Sequence, residues 1–139
     1  MSTIAAMRVD LAARAAVNTA VTTYPRITDQ IEVPAFVVGP LQRILYNHEF
    51  GKGKAVYEFA CRVYVSRVDT DEAMVALDPY LYNTGSASIK ALLDNPAGHT
   101  VSNTCGAQWT NVVESTGEGV YSFNGVDYLG AEFTVRMLV

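Results

Sequence analysis

Val120-Tyr-Ser-Phe123, Asn124-Gly125 and Val126-Asp-Tyr-Leu-Gly-Ala-Glu-Phe-Thr-Val-Arg-Met-Leu-Val139 close the chain and decide its fold. Asn-Gly between two apolar runs is a strong hairpin signal, because both residues tolerate the positive φ of a type I′ turn. From Leu129 onward, Leu129, Ala131, Phe133, Val135 and Met137 alternate with Gly130, Glu132, Thr134 and Arg136. That period of two marks a strand with one face on a core, so the chain is expected to end inside a sheet.

Working upstream, Ala55 to Arg67 repeats the pattern, with Tyr57, Phe59, Cys61, Val63 and Val65 opposing Glu58, Ala60, Arg62, Tyr64 and Ser66. Ile44 to Phe50 reads as its hairpin partner around Glu49-Phe-Gly-Lys-Gly-Lys54, which makes a long hairpin with a flexible basic tip. Val33 to Val38, an apolar run between Pro34 and Pro40, reads as a further strand near the sheet centre. Ala107 to Val113 and a turn around Gly117 complete the strand pattern.

Helical periodicity occupies the remainder. Ser2 or Thr3 can cap a first helix carrying Ile4, Met7, Leu11, Ala15 and Val17, with Asp10 and Arg14 as an i,i+4 pair and Pro25 as its latest end. Asp69 or Thr70 can cap a second, with Asp71 and Glu72 set against the dipole and Met74, Leu77 and Leu81 on its buried stripe. Pro79 interrupts that stripe and predicts a kink, or a restart capped by Asp78. Gly85 can end this helix, and Ser86 or Ser88 can start a short one with Ile89, Leu92 and Leu93, closed by Asp94 to Gly98; His99 to Gly106 reads as a loop. The expected architecture is α+β: one domain over residues 1–139, with a mixed or antiparallel sheet of about four to five strands and two to three helices.

Composition fits one compact domain: 139 residues, 50% apolar and 17% charged. The first residues lack a signal peptide's basic start and apolar core, and no stretch approaches the about 20 apolar residues of a membrane span. Use in a cytoplasm and no membrane partner are expected. Cys61 and Cys105, 44 residues apart without CxxC spacing, read as two reduced thiols. With His48 and His99 they are the only soft ligand candidates, none closely spaced, so no metal site is expected.

Chemistry leaves little trace. Gly51-Lys-Gly-Lys54 lacks the Walker spacing and is followed by a strand rather than a helix. Gly-x-Ser-x-Gly is absent, and neither histidine stands near an obvious nucleophile. Trp109 and eight tyrosines could stack bases, but an acidic chain lacks the basic stripe that nucleic acid requires. No enzyme and no cofactor are expected.

Three segments, in order, resemble the tail terminator proteins of long-tailed, siphovirus-type bacteriophages. Pro34-Ala-Phe-Val-Val-Gly-Pro40 looks like the first strand of that family. Phe59-Ala-Cys-Arg-Val-Tyr-Val-Ser-Arg67 with Asp69-Thr-Asp-Glu72 looks like its central strand and second helix, and Asn124-Gly-Val-Asp-Tyr-Leu-Gly-Ala-Glu-Phe-Thr-Val135 like its closing hairpin. The likeness runs from about Leu11 to the end and lies in order and spacing rather than in one motif. Pro79 departs from the plain second helix of the family. The resemblance implies a virion protein of the tail neck, assembled in the host cytoplasm as a homo-hexameric ring. Such a ring caps the tail tube, stops its polymerisation and serves head-tail joining. Its partners would be itself, the major tail tube protein and the head-tail connector, with DNA passing through the lumen unbound. A different neck, connector or tail-completion protein is the alternative, and a small-ligand-binding α/β domain a more distant one.

Charge is split along the chain. Residues 1 to 68 carry eight basic and five acidic side chains, a net +3, whereas residues 69 to 139 carry two basic and nine acidic, a net −7, giving −4 overall. Either both sets are solvated, or the basic part of one subunit meets the acidic part of the next. The candidate contact residues are Arg43 and the hairpin tip, His48, Glu49, Phe50, Lys52 and Lys54. Phe50 is either an exposed anchor or a ring folded back over the hairpin. Arg62 and Arg67 against Asp69, Asp71 and Glu72 are the candidates for subunit pairing.

Overall fold

The computed structural model describes residues 4–18, 20–28, 30–46, 55–66, 70–82, 85, 87–94, 109–123 and 125–138. Its elements are α1 (Ile4–Ala15), β1 (Thr22–Tyr24), β2 (Ala35–Tyr46), β3 (Ala55–Val65), α2 (Thr70–Leu81), α3 (Ile89–Leu93), β4 (Trp109–Ser115), β5 (Gly119–Phe123) and β6 (Val126–Leu138). The architecture is α+β, a single mixed sheet covered by helices on one face, as the sequence predicts. The sheet order is β1-β2-β3-β6-β4, with β5 also on β6. β1, a strand that the sequence reading lacks, adds in parallel to β2 and brings the sheet to six strands.

The terminal hairpin forms as expected. β5 and β6 pair from Phe123↔Val126 to Gly119↔Gly130, and Gly125 takes the positive φ of 81° that the turn demands. β4 and β5 lie end to end along one side of β6, since β4 pairs with Phe133 to Leu138 and β5 with Val126 to Gly130. Thr116 bridges the break: its N–H donates to the Glu132 carbonyl (3.0 Å), and its hydroxyl accepts from the Glu132 N–H (3.3 Å).

Alternation sorts the central strands into two faces. Phe59, Cys61, Val63 and Val65 of β3 and Leu129, Ala131, Phe133, Val135 and Met137 of β6 are all buried in the core. Met7, Leu11 and Ala15 of α1, Ala73, Leu77 and Tyr80 of α2, and Ile89 and Leu93 of α3 complete it. Each fully buried aliphatic side chain contributes about 1.5–3 kcal/mol relative to exposure, which sets which helix face turns inward.

Several boundaries differ from expectation. The two strands expected at Val33 to Val38 and Ile44 to Phe50 are one strand, β2, ending at Tyr46; His48, Glu49 and Phe50 lie outside the described residues. Pairing with β3 survives Pro40 because the register shifts between Val38 and Leu41 and again between Leu41 and Arg43, so the proline sits in a bulge. β4 is described from Trp109, and Ala107, where the strand is expected to start, lies outside the described residues. Pro79 lies inside α2, and no helix restarts at Asp78. The helix ends two residues later, and the donor lost at Pro79 is the one that would reach the Val75 carbonyl. The buried stripe of α2 is Ala73, Leu77 and Tyr80, leaving Met74 41% exposed. Small Ala73 occupies the inward position instead. Ser88 caps α3, accepting from the Ala91 N–H, and Asp94 is the C-cap.

Asp10 and Arg14 form their i,i+4 pair with both side chains fully buried. Arg14 also donates from Nη1 to the Leu93 carbonyl at 3.0 Å, tying α1 to the end of α3. Asp94 accepts from Lys90 and from the Val112 N–H (2.8 Å), which carries the same tie onward to β4.

Candidate interaction surface

The face of the sheet away from the helices carries alternating charge. Glu58 of β3 pairs in register with Arg43 of β2 and Arg136 of β6. Its Oε2 accepts from Arg136 Nε at 2.8 Å and from Arg43 Nη2 at 3.1 Å. Four residues along β3, Arg62 Nε donates to Glu132 Oε2 of β6 at 2.9 Å. Both rows are cross-strand neighbours of opposite sign, the arrangement that stabilises adjacent strands on one face.

Burial works against the Glu58 charge, but the hydrogen bonds and positive charges of Arg136 and Arg43 outweigh it, holding the carboxyl below its ordinary pKa. Arg62 is likewise partly desolvated. Its bonds to Tyr64 and Glu132 more than offset that and hold its charge. The Tyr121 ring covers the Arg62 guanidinium, with Cζ 4.6 Å from the ring centroid. Tyr64 meets Tyr121 and Tyr128 edge-on, each at 6.0 Å between centroids. These rings fasten the β5–β6 hairpin to β3.

Two depressions flank this frame. One of about 250 Å³ is bounded by Ile27, Val37, Pro40, Arg62, Tyr64 and Ser122. The other, about 310 Å³, lies between Val33, Pro34 and α2, with Glu72 and Tyr80 in its wall. Arg62, Tyr64 and Ser122 are the polar side chains of the first, and Arg62 there is already engaged by Glu132 and the Tyr121 ring. Among the described residues, no group of three or more His, Cys, Asp or Glu could hold a metal ion. Cys61 is fully buried and its thiol is pushed up to about 12, mainly by desolvation, so it stays protonated and unreactive. No described helix is long and apolar enough to cross a membrane.

Of the candidate contact residues, four are described. Arg43 lies on β2 with 52% of its side chain exposed. Arg62 lies on the open face of β3, whereas Asp71 and Glu72 are exposed in the first turn of α2, across the sheet. The fold therefore does not bring Arg62 to the acidic helix start within one chain; its partner there is Glu132. His48, Glu49, Phe50, Lys52, Lys54, Arg67 and Asp69 lie outside the described residues. Glu58, Glu132, Arg136 and Tyr121 are absent from the sequence-derived set. Opposite charges at alternate positions of neighbouring strands were the available signal, but strand register is needed to read it.

The sheet order gives the charge split a place. β1, β2 and β3 come from the basic first half of the chain and β4, β5 and β6 from the acidic second half, and within the sheet the two halves meet at the β3–β6 seam. One edge thus carries exposed Arg43, with Arg26 and Glu32 on the connection beside it, and the other carries exposed Glu114 and Glu118. A scan of protein-family models finds none that matches the chain, and a search of curated proteins finds no match.

Proposed function

We propose that this chain is a structural virion protein, the tail terminator of a siphovirus-type phage. In this reading it assembles as a ring on the last ring of the tail tube, stops polymerisation and offers its far side to the head connector. One observation supports the reading beyond the resemblance: the sheet sets exposed Arg43 at one edge and exposed Glu114 and Glu118 at the other. A body with complementary opposite ends suits head-to-tail contacts, which close into a ring when the rotation between copies is right. The work of such a protein lies in surfaces, and its activity calls for no catalytic group.

Each copy carries −4, so a ring surrounds the DNA passage with net negative charge. Repulsion of phosphates favours sliding over sticking. A mainly basic lumen in the assembled ring would sink this part of the proposal.

The decisive experiment inactivates the gene in its phage and measures tail lengths by negative-stain electron microscopy. Overlong tubes support the terminator. Tails of normal length beside unattached heads move the protein to the connector instead.

A further inference from the structure

We infer that copies of this chain join edge to edge through their sheets, the outer side of β2 in one copy pairing with the outer side of β4 in the next. The inference rests on the proposed self-assembly and names the surfaces that perform it. β1 covers only Ala35 to Val37 of β2. Arg43 to Tyr46 hold regular register with β3, and among the described residues no strand pairs with their other side. β4 ends the sheet opposite, and among the described residues only the Asp94 carboxylate, on the Val112 N–H, takes a β4 backbone donor on that side. Unpaired strand edges are templates for another strand, and proteins that stay monomeric usually mask them.

Three further features select a second copy in head-to-tail order. The first is direction. β2 runs with β6 and β4 runs with β3, so β2 and β4 are antiparallel within one sheet. Rotating a copy about an axis along the strands lays its β4 antiparallel to β2, which permits regular ladder bonds. The second is charge. Arg43 and Glu114 lie on the same, open face, since Arg43 is in register with Glu58 and Glu114 with Thr134. The Arg136–Glu58–Arg43 row ends on β4 at Asn111, and the Glu114 carboxylate stands two residues along β6, on the Thr134 row, within diagonal reach of Arg43 across copies. Joining like edges by a twofold axis would instead set Arg43 near Arg43, or Glu114 and Glu118 near their own copies, an unfavourable arrangement. The third is apolar surface: Tyr46 is 73% exposed on one edge, and Val113 and Val120 are 44% and 53% exposed on the other. Pro40 and the two bulges confine regular pairing to Arg43 to Tyr46, which limits how far the register can slip.

The test uses two full-length proteins, Arg43→Cys and Glu114→Cys, each with Cys105→Ser, and a short bismaleimide. A reach of about 10 Å covers the facing residue and its diagonal neighbours, so a slip of two residues is tolerated. Cys61 is buried and does not compete. Cross-linking the mixture, with one protein isotopically labelled, is expected to yield mixed dimers at least about tenfold above the dimers from either protein alone, because only a head-to-tail contact joins unlike edges. Gln42→Cys repeats the test without touching the Arg43–Glu58 bond, and thermal unfolding establishes that each variant is folded. Dimers formed equally well by either protein alone would overturn the inference, as would no product at roughly millimolar concentration, where even weak association is populated. Tail lengths report separately: no mixed product with overlong tails defeats the edge pairing and leaves the terminator, and the converse result does the reverse.

Discussion

Gly130 lies beneath the ring of Tyr121: a Cβ on Gly130 would stand 3.2 Å from Cδ2 of that ring and 2.5 Å from the Val63 carbonyl oxygen. The ring could swing away, but the carbonyl belongs to β3 and is held in the sheet. Gly130→Ala is therefore expected to destabilise the protein by about 1–3 kcal/mol, the usual scale for overpacking. Most of that loss should persist in a Tyr121→Ala background. Urea unfolding of both variants checks this, and complete rescue by Tyr121→Ala would show that the ring, not the backbone, is the obstacle.

Glu58 links β2, β3 and β6 and should make stability depend on acid. Its folded pKa lies below the ordinary 4.5, so its contribution is present above that value and is lost as pH falls through the folded pKa. Glu58→Gln removes the charge while keeping the shape. At pH 7 we expect a loss of about 1–2 kcal/mol, given that both arginine partners are partly exposed. As pH falls through that lowered folded pKa the variant and the parent should converge, because the parent carboxyl is then neutral too. Parallel unfolding curves from pH 7 to 3 test the sign.

The two strands that decide the fold were legible because their alternation is strict: β3 and β6 each set one series against the helices and the other, which includes buried Ala60 and Tyr64, on the opposite face of the sheet. β2 was legible only in pieces, since bulges on either side of Leu41 break its alternation at Pro40. The three residues of β1 hold too short a pattern to show. On α2 the expected stripe holds at Leu77, and Leu81 packs partly buried against the core, but it fails at Met74, which is the more hydrophobic residue, while Ala73 is the one whose size lets the helix approach. The surface was legible as charge composition and not as geometry. Arg43 stood out beside the hairpin tip, but its row with Glu58 and Arg136 depends on pairing between residues 78 positions apart.

Arg14 and Asp10 look in sequence like a surface pair worth a few tenths of a kcal/mol. Their full burial changes the scale. Arg14→Ala leaves a buried carboxylate without its cation and removes the donor on the Leu93 carbonyl, so a loss of about 3–5 kcal/mol is expected. Replacing the pair together, Asp10→Leu with Arg14→Met, should cost clearly less than Arg14→Ala alone. A double variant as unstable as the single would locate the contribution in the Leu93 contact rather than in the ion pair.

Glu118 and Asp78 carry the opposite sign. Glu118 sits at the corner between β4 and β5, and a hydrogen bond with the Asp78 carboxyl of α2 raises its pKa, with smaller contributions from desolvation and like charge. A carboxyl whose pKa is raised on folding stabilises the protein below its unfolded value and loses that contribution as pH rises through the folded one. Glu118→Gln keeps a hydrogen-bond donor toward Asp78 and removes the repulsion. It should raise the melting temperature at pH 7 slightly, since the pair is in water, and the gain should fade below about pH 4. Because the same change takes a negative charge from the acidic edge, it should also weaken association through β2 and β4. Higher stability with weaker self-association in one variant separates the carboxyl pair, which acts within a chain, from the edge charge, which acts between chains.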